Sequence, residues 1–317
     1  MTDLAHPTGH SAGLTRIPSA TILVLRHGVL FRRIPGGRAM ASRQIRSVGI
    51  FAALLAVSVP CAVTTCTGDE PKPSAEAEAF QKHARETATE YDFRLVAKPD
   101  RKLVLHDEPI LRWTNPVGGH QAHGEVFIWT DRGRPEAVLS LYEVTQNGVH
   151  EHHEFTSLSL GDLKAERSGA VAWAPPAGSV EMKRFPDAPP PEGPPRLRLG
   201  QMRKLAAQLT ADKTTREDVR RDLRLLTQPI YRYEGEHPDL LDGALFAFVE
   251  GTDPEVLLLL EARRVGKQYE WFFGAARMNS VHMRVLRGEQ VLWDGPVLPW
   301  ADVFNRSDKH YTALRIR

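Results

Sequence analysis

Cysteine is nearly missing from this sequence of 317 residues. The two that occur, Cys61 and Cys66, lie in or beside one apolar run near the N-terminus, and residues 67–317 hold none. That excludes a disulfide framework, a cysteine nucleophile and a thiolate metal site from the body of the chain. The strings of several common chemistries are missing too. There is no GxGxxG and no GxxxxGK[ST] loop to cradle a phosphate, no HExxH zinc pair and no DxDxDG calcium loop. The body also lacks a GxSxG nucleophile elbow.

What is present is unevenly placed. Hydrophobic residues make up 42% and charged residues 25%, the composition of a folded chain with a core of its own. The length suffices for one large or two ordinary domains. The formal net charge of +2 hides an asymmetry: residues 1–65 hold seven arginines against one acid, a charge of +6, which leaves −4 for residues 66–317. A mildly acidic body is not the footprint of a nucleic-acid binder, so no such partner is expected.

Residues 48–63, VGIFAALLAVSVPCAV, form an apolar run of 16 residues, with Arg43 and Arg46 before it and the polar TTCTGDEPKPS after it. The run is short for a membrane span and flanked like an export signal, so it reads as a signal peptide; an uncut N-terminal anchor is the alternative. Met40 opens a compact signal, MASRQIR and then the run, so residues 1–39 read as a mis-extended start and 1–65 as leader. VTTC at 63–66 partly matches a bacterial lipoprotein box, with Thr65 a poor fit before the cysteine. Lipidation at Cys66 and plain cleavage both stay open. Residues 66–75 then read as a solvated tether. The expected location is exported, periplasmic or envelope-associated, with membrane contact only through the leader or a lipid anchor.

The body says the same thing twice. GEVFIWTDRGRPEAVLSLYE at 124–143 returns as GALFAFVEGTDPEVLLLLEA at 243–262, and KLVLHDEPILRW at 102–113 returns as DLRLLTQPIYRY at 222–233. HEF at 153–155 aligns with YEW at 269–271, and SGAVAW ending at Trp173 with GEQVLW ending at Trp293. Four blocks in one order imply a tandem duplication. Two copies are too few for a solenoid, which needs about three repeats, so a pseudo-symmetric pair is expected.

Each unit opens with a helix, at 76–93 and at 198–209, where Met202, Leu205, Ala206 and Leu209 share one face. TTREDVRRDLRLL at 214–226 reads as a further helix with a threonine cap. EVFIWT and ALFAFV, the turns DRGRP and EGTDP, and the runs EAVLSLYE and EVLLLLEARR read as hairpins, followed by third strands at HEFTSLSL and YEWFFGAARM. The expected class is α+β, a duplicated helix-plus-antiparallel-meander unit. The divisions are a first unit at 76–180, a Pro-rich linker at 181–197, a second unit at 198–300 and a peripheral tail at 301–317.

The strings GRPEAVLSLY, HEFTSLS, QMRKLA, LRLL with QPIYRYE, and DGALFAFVEGTDPEVLLLLEAR resemble a group of exported planctomycete proteins with no function attached, over roughly residues 77–295. That resemblance implies a compartment and a lineage and carries no catalytic residues with it.

The most distinctive polar cluster is NGVHEHHEF at 147–155. On an extended strand His150 and His152 fall on one side, and Glu151 and His153 on the other. Two imidazoles on one face suit a metal, and His120 and His123 would join them if the preceding loop folds back; solvated histidines on a hairpin are the plainer reading. Arg112, Arg232, Glu136, Glu255, Glu154 and Glu270 recur between the copies and read as cross-strand ion pairs rather than a symmetric binding pair. Trp173, Trp293, Pro135 and Pro254 read as core and turn.

These features point to an exported, non-catalytic binding or structural protein of the envelope, with no cofactor unless the histidines hold a metal ion. A metal-dependent hydrolase using His150–His153 and a carrier of lipid or another hydrophobic ligand are the alternatives.

Overall fold

Ser74 caps the first helix by accepting the Ala77 amide at 3.2 Å, and Glu76 and Glu78 occupy the first turn, where the helix dipole favours acid. This helix, α1 (Ala75–Thr89), buries Phe80, Ala84, Thr87 and Ala88. It stops short of residue 93 because Tyr91–Leu95 forms strand β1, with Tyr91 and Phe93 turned into the core. The structure is a computed structural model and describes residues 74–115, 121–145, 148–234, 236–237, 239–307 and 309–316. The leader, Cys66 and His120 lie outside the described residues. Among the described residues no helix is long and apolar enough to cross a membrane.

Strands β2 (Val104–Leu105), β3 (Leu111–Asn115), β4 (Gln121–Asp131), β5 (Arg134–Thr145), β6 (Val149–Ser157), β7 (Leu163–Arg167) and β8 (Ala170–Trp173) follow. β4, β5 and β6 make an antiparallel meander, and β2 and β3 pair in succession along β4. β1 pairs with β7, and β7 with β8.

Next come β9 (Lys183–Arg184), α2 (Pro195–Ala206), β10 (Thr210–Thr214), β11 (Arg220–Leu225), β12 (Tyr231–Glu234), β13 (Leu240–Glu250), β14 (Asp253–Val265), β15 (Gln268–Arg277), β16 (His282–Arg287) and β17 (Gln290–Gly295). β13, β14 and β15 form a second meander, β11 and β12 pair along β13, and β10 pairs with β16, which pairs with β17. The two inner hairpins shift register at matching places, between Trp129 and Thr130 and between Phe248 and Val249. β10 also pairs with β11, which makes this sheet continuous, whereas Arg94–Lys102 is an isolated bridge and β1, β7 and β8 stand as a separate sheet. A short α3 (Trp300–Val303) and β18 (Tyr311–Arg315) complete the chain. The class is α+β, mostly antiparallel β.

Burial on both faces explains the apolar runs. Leu258 and Leu260 of β14 pack with Met202 and Leu205 of α2, while Leu257 and Leu259 face a separate core. Leu139 and Leu141 of β5 likewise pack with Phe80 and Ala84 of α1, and Val138 joins Leu257 and Leu259. The order is therefore helix, sheet, sheet, helix, and the two sheets meet at the third core. A strand with two dry faces has no polar side to alternate, which is why β14 reads LLLL.

Three expectations are corrected. Residues 214–226 are not a helix: β10 and β11 form a hairpin, with Asp218 at a positive φ of 63° in its turn. Pairing of β10 with β16 and of β11 with β13 outweighs helix propensity, and Leu223 is the buried side chain among exposed arginines. The 181–197 stretch is more than a linker, because Lys183 and Arg184 pair with β15. The tail is not peripheral: Tyr311–Arg315 pairs with Thr156–His152 along the edge of β6.

Candidate functional site

The histidines of the 147–155 stretch take three different environments. His153 is fully buried, with Tyr91 Oη 2.6 Å from Nδ1 and Glu151 Oε1 2.8 Å from Nε2. Burial lowers its pKa, against the raising effect of Glu151. Burial also works against the Glu151 charge, but hydrogen bonds from His83 and His153 outweigh it and hold that carboxyl below its ordinary range. His152 lies flat on Tyr142, rings 5.1 Å apart at 9°, and burial and then Arg315 lower its pKa. His150 Nδ1 is 2.7 Å from Arg315 Nη2. His123 meets Phe80 edge-on at 4.5 Å. Strand alternation thus separates His150 and His152 from His153 as the sequence implies. With both ring nitrogens engaged, His153 has no lone pair left for a metal. Among the described residues, no three or more His, Cys, Asp or Glu side chains are grouped to hold a metal ion. The string GHSAG at 9–13 fits the nucleophile-elbow pattern but lies outside the described residues.

The recurrent arginines make ion pairs: Arg112 Nε to Glu125 at 2.7 Å and Arg232 Nη2 to Asp242 at 2.8 Å. Glu154 and Glu270 do not correspond. The hairpin registers pair Ser140 with Glu154 and Leu259 with Gly274, while Glu270 opposes Arg263 and bonds Arg184 at 2.7 Å. The HEF–YEW alignment is therefore displaced by several residues.

Two places lie between the sheets, one at the head of β5 and one at the head of β14. In the first, Arg134 opens β5 opposite Asp131, and its buried guanidinium fills the space. Arg134 Nε donates to Glu261 at 3.0 Å, and Nη1 to Glu136 at 2.9 Å and to the Leu158 carbonyl at 3.1 Å. Tyr233 Oη also donates to Glu261, at 2.7 Å. Desolvation opposes the arginine's charge, yet Glu261 and Glu136 overcome it and raise its pKa.

In the second place, Asp253 opens β14 opposite Glu250, and a cavity of about 200 Å³ stands open. Trp113, Tyr142, Met278, Ala122 and Val144 form its walls, and Glu154, Asp253, Asn115 and Asn279 supply its polar groups. Tyr142 and Glu261 occupy matching strand positions, each opposite a glycine, Gly124 or Gly243. Those glycines lie under the Trp113 and Tyr233 rings, where a Cβ on Gly124 would come within 2.7 Å of the indole. The chain return is shared as well: the Leu158 amide donates to the Glu136 carbonyl at 2.8 Å, and the Met278 amide to the Glu255 carbonyl at 2.7 Å.

The carboxyls at this second place are crowded. Glu154 accepts from Tyr311 at 2.7 Å and Tyr142 at 3.2 Å, and burial, against those bonds, pushes its pKa up to about 7. Burial, then the charges of Glu255 and Glu154, raise Asp253 well above the ordinary range, although Asn115 donates to it at 3.1 Å. Glu255 is raised by burial despite Lys213, and Asn279 donates to it at 2.8 Å. The residues that matter here, Tyr142, Asp253 and Asn279, do not stand out in the sequence. Their signal is the contrast between Arg134-Pro135-Glu136 and Asp253-Pro254-Glu255 inside the repeat. No protein-family model matches the chain, and no curated protein or solved structure matches it significantly.

Proposed function

We propose that the chain is a tandem duplication of one helix-plus-antiparallel-meander unit, packed as a pseudo-symmetric pair, and that it is a non-catalytic binding protein of the cell envelope with the Asp253 cavity as its site. Supporting the duplication are the repeated blocks, the matching order of strand pairings and the matching register shifts. The binding reading is carried by one observation: equivalent places between the sheets are filled by Arg134 on one side and open on the other. A place lined by polar groups admits water, and a ligand that reproduces those hydrogen bonds can displace it, which favours a binding role. Among the described residues the lining holds no serine, cysteine, histidine or lysine, which favours binding over covalent chemistry. Two carboxyls in about 200 Å³ suit a small polar ligand better than an acyl chain. Export rests on the apolar run at 48–63 with its basic flank and on the resemblance to exported planctomycete proteins.

The test is ligand retention. Protein purified gently from its native host is denatured, and the released small molecules are measured beside those from Ala122→Trp, which places an indole in the cavity. A compound released stoichiometrically by the wild type and absent from the variant supports the reading. Identical profiles would end it.

A further inference from the structure

We propose that the Asp253 cavity binds a small organic cation carrying a guanidinium or ammonium group, an inference that rests on the binding reading above. The first argument is the occupant of the equivalent place. There the fold already holds a guanidinium between Glu136 and Glu261, which also donates to the Pro135 and Leu158 carbonyls. In the second copy the arginine is replaced by Asp253, while Glu255 keeps the place of Glu136 and Met278 that of Leu158. The substitution removes the built-in cation and adds a carboxyl where it stood.

Charge is the second argument. Glu154 and Asp253 line the space, Glu255 accepts from the lining residue Asn279, and the nearby cation, Lys213, is shared between Glu255 and Glu250. Carboxyls left short of positive charge in a desolvated place hold their protons, as the raised pKa values of Glu154 and Asp253 indicate. An incoming cation would let them ionise and would recover the pairing that Arg134 provides in the other copy.

The walls are the third argument. Trp113 and Tyr142, their ring centroids 5.4 Å apart, line the cavity beside its acidic groups. Aromatic faces beside carboxylates stabilise organic cations through the ring quadrupole, a contact unavailable to a neutral or anionic ligand of the same shape.

The experiment titrates the purified full chain with methylguanidine, agmatine and tetramethylammonium, by calorimetry and by the change in tryptophan fluorescence. N-methylurea serves as the neutral isostere of methylguanidine, and calcium chloride as the inorganic cation. The expected result is binding of an organic cation roughly tenfold or more tighter than the urea, and a similar loss in Asp253→Asn, which keeps the side-chain shape. Asp253→Arg is expected to abolish binding by supplying the cation internally. Equal affinity for the urea, tighter binding of calcium, or an unchanged Asp253→Asn would overturn the inference. If none of the cations binds but the wild type still retains a host compound that Ala122→Trp lacks, the cation inference fails and the binding reading survives. If retention fails too, both fall.

Discussion

Asp253 stands at the head of β14 where Arg134 stands at the head of β5: each closes its hairpin, opposite Glu250 and Asp131 respectively, and each precedes a buried Pro-Glu pair. The head of one hairpin thus carries a cation and the head of the other an acid. From that relationship, and from the packing around it, four expectations can be measured.

Arg134 neutralises two buried carboxylates. Arg134→Met is expected to destabilise the protein by roughly 3–5 kcal/mol, because Glu136 and Glu261 would be left buried without their cation. Adding Glu261→Gln should recover part of the loss. Urea denaturation of the single and double variants decides it; a near-neutral Arg134→Met would mean that water reaches the pair.

The Glu154 carboxyl has a folded pKa of about 7 against an ordinary 4.5. A raised carboxyl lends its stability fully below the unfolded value and loses it as pH rises through the folded one. The facing groups are Tyr142, Tyr311, Asp253 and Glu255, and the raised carboxyls among them act in the same direction. Between about pH 5 and 8, the wild type should lose on the order of 2 kcal/mol that Glu154→Gln does not. Denaturation midpoints at the two pH values measure this, and parallel curves for both proteins would refute it.

Gly243 lies under the Tyr233 ring, whereas a methyl added at Gly161 would meet nothing within 4 Å. Gly243→Ala is expected to cost about 1–3 kcal/mol through overpacking, and Gly161→Ala less than about 0.5 kcal/mol. Thermal melts of both test whether close approach to the aromatic ring, rather than backbone freedom, fixes the glycine.

The histidines separate by burial. His153→Ala should cost about 2–4 kcal/mol, since Tyr91 and Glu151 lose a buried partner. His150→Ala with His152→Ala should cost under about 1 kcal/mol, the larger share from the stack on Tyr142. Melts with and without EDTA complete the test. A chelator-sensitive wild type would support the metal reading.

The hairpins and both opening helices are legible because each is a local pattern of period or turn. The 214–226 segment misleads for the same reason. Its charged residues suit a helix, and only pairing with β16 and β13, both distant along the chain, makes it a hairpin. The site is legible in principle, because function is expected where the copies differ. The histidines draw notice by their number, however, and the one-residue change from Arg134 to Asp253 gains meaning only when the sheets meet. Glu154 is matched to the wrong residue when identity is read along a string, whereas the ladder pairs Glu154 with Ser140 and places Gly274 opposite Leu259.

The placing of β18 sets a timetable for folding. Tyr311 and Glu154, joined at 2.7 Å, are 157 residues apart, and the whole second half lies between them. A chain emerging from its N-terminus exposes the β6 edge, with its unpaired amides and carbonyls, until Tyr311–Arg315 arrives. The first half is thus synthesised first but finished last, and closing so long a loop adds to the entropy that folding must overcome. Any truncation before residue 311 should therefore leave the earlier half, not the one it shortens, with the sticky edge.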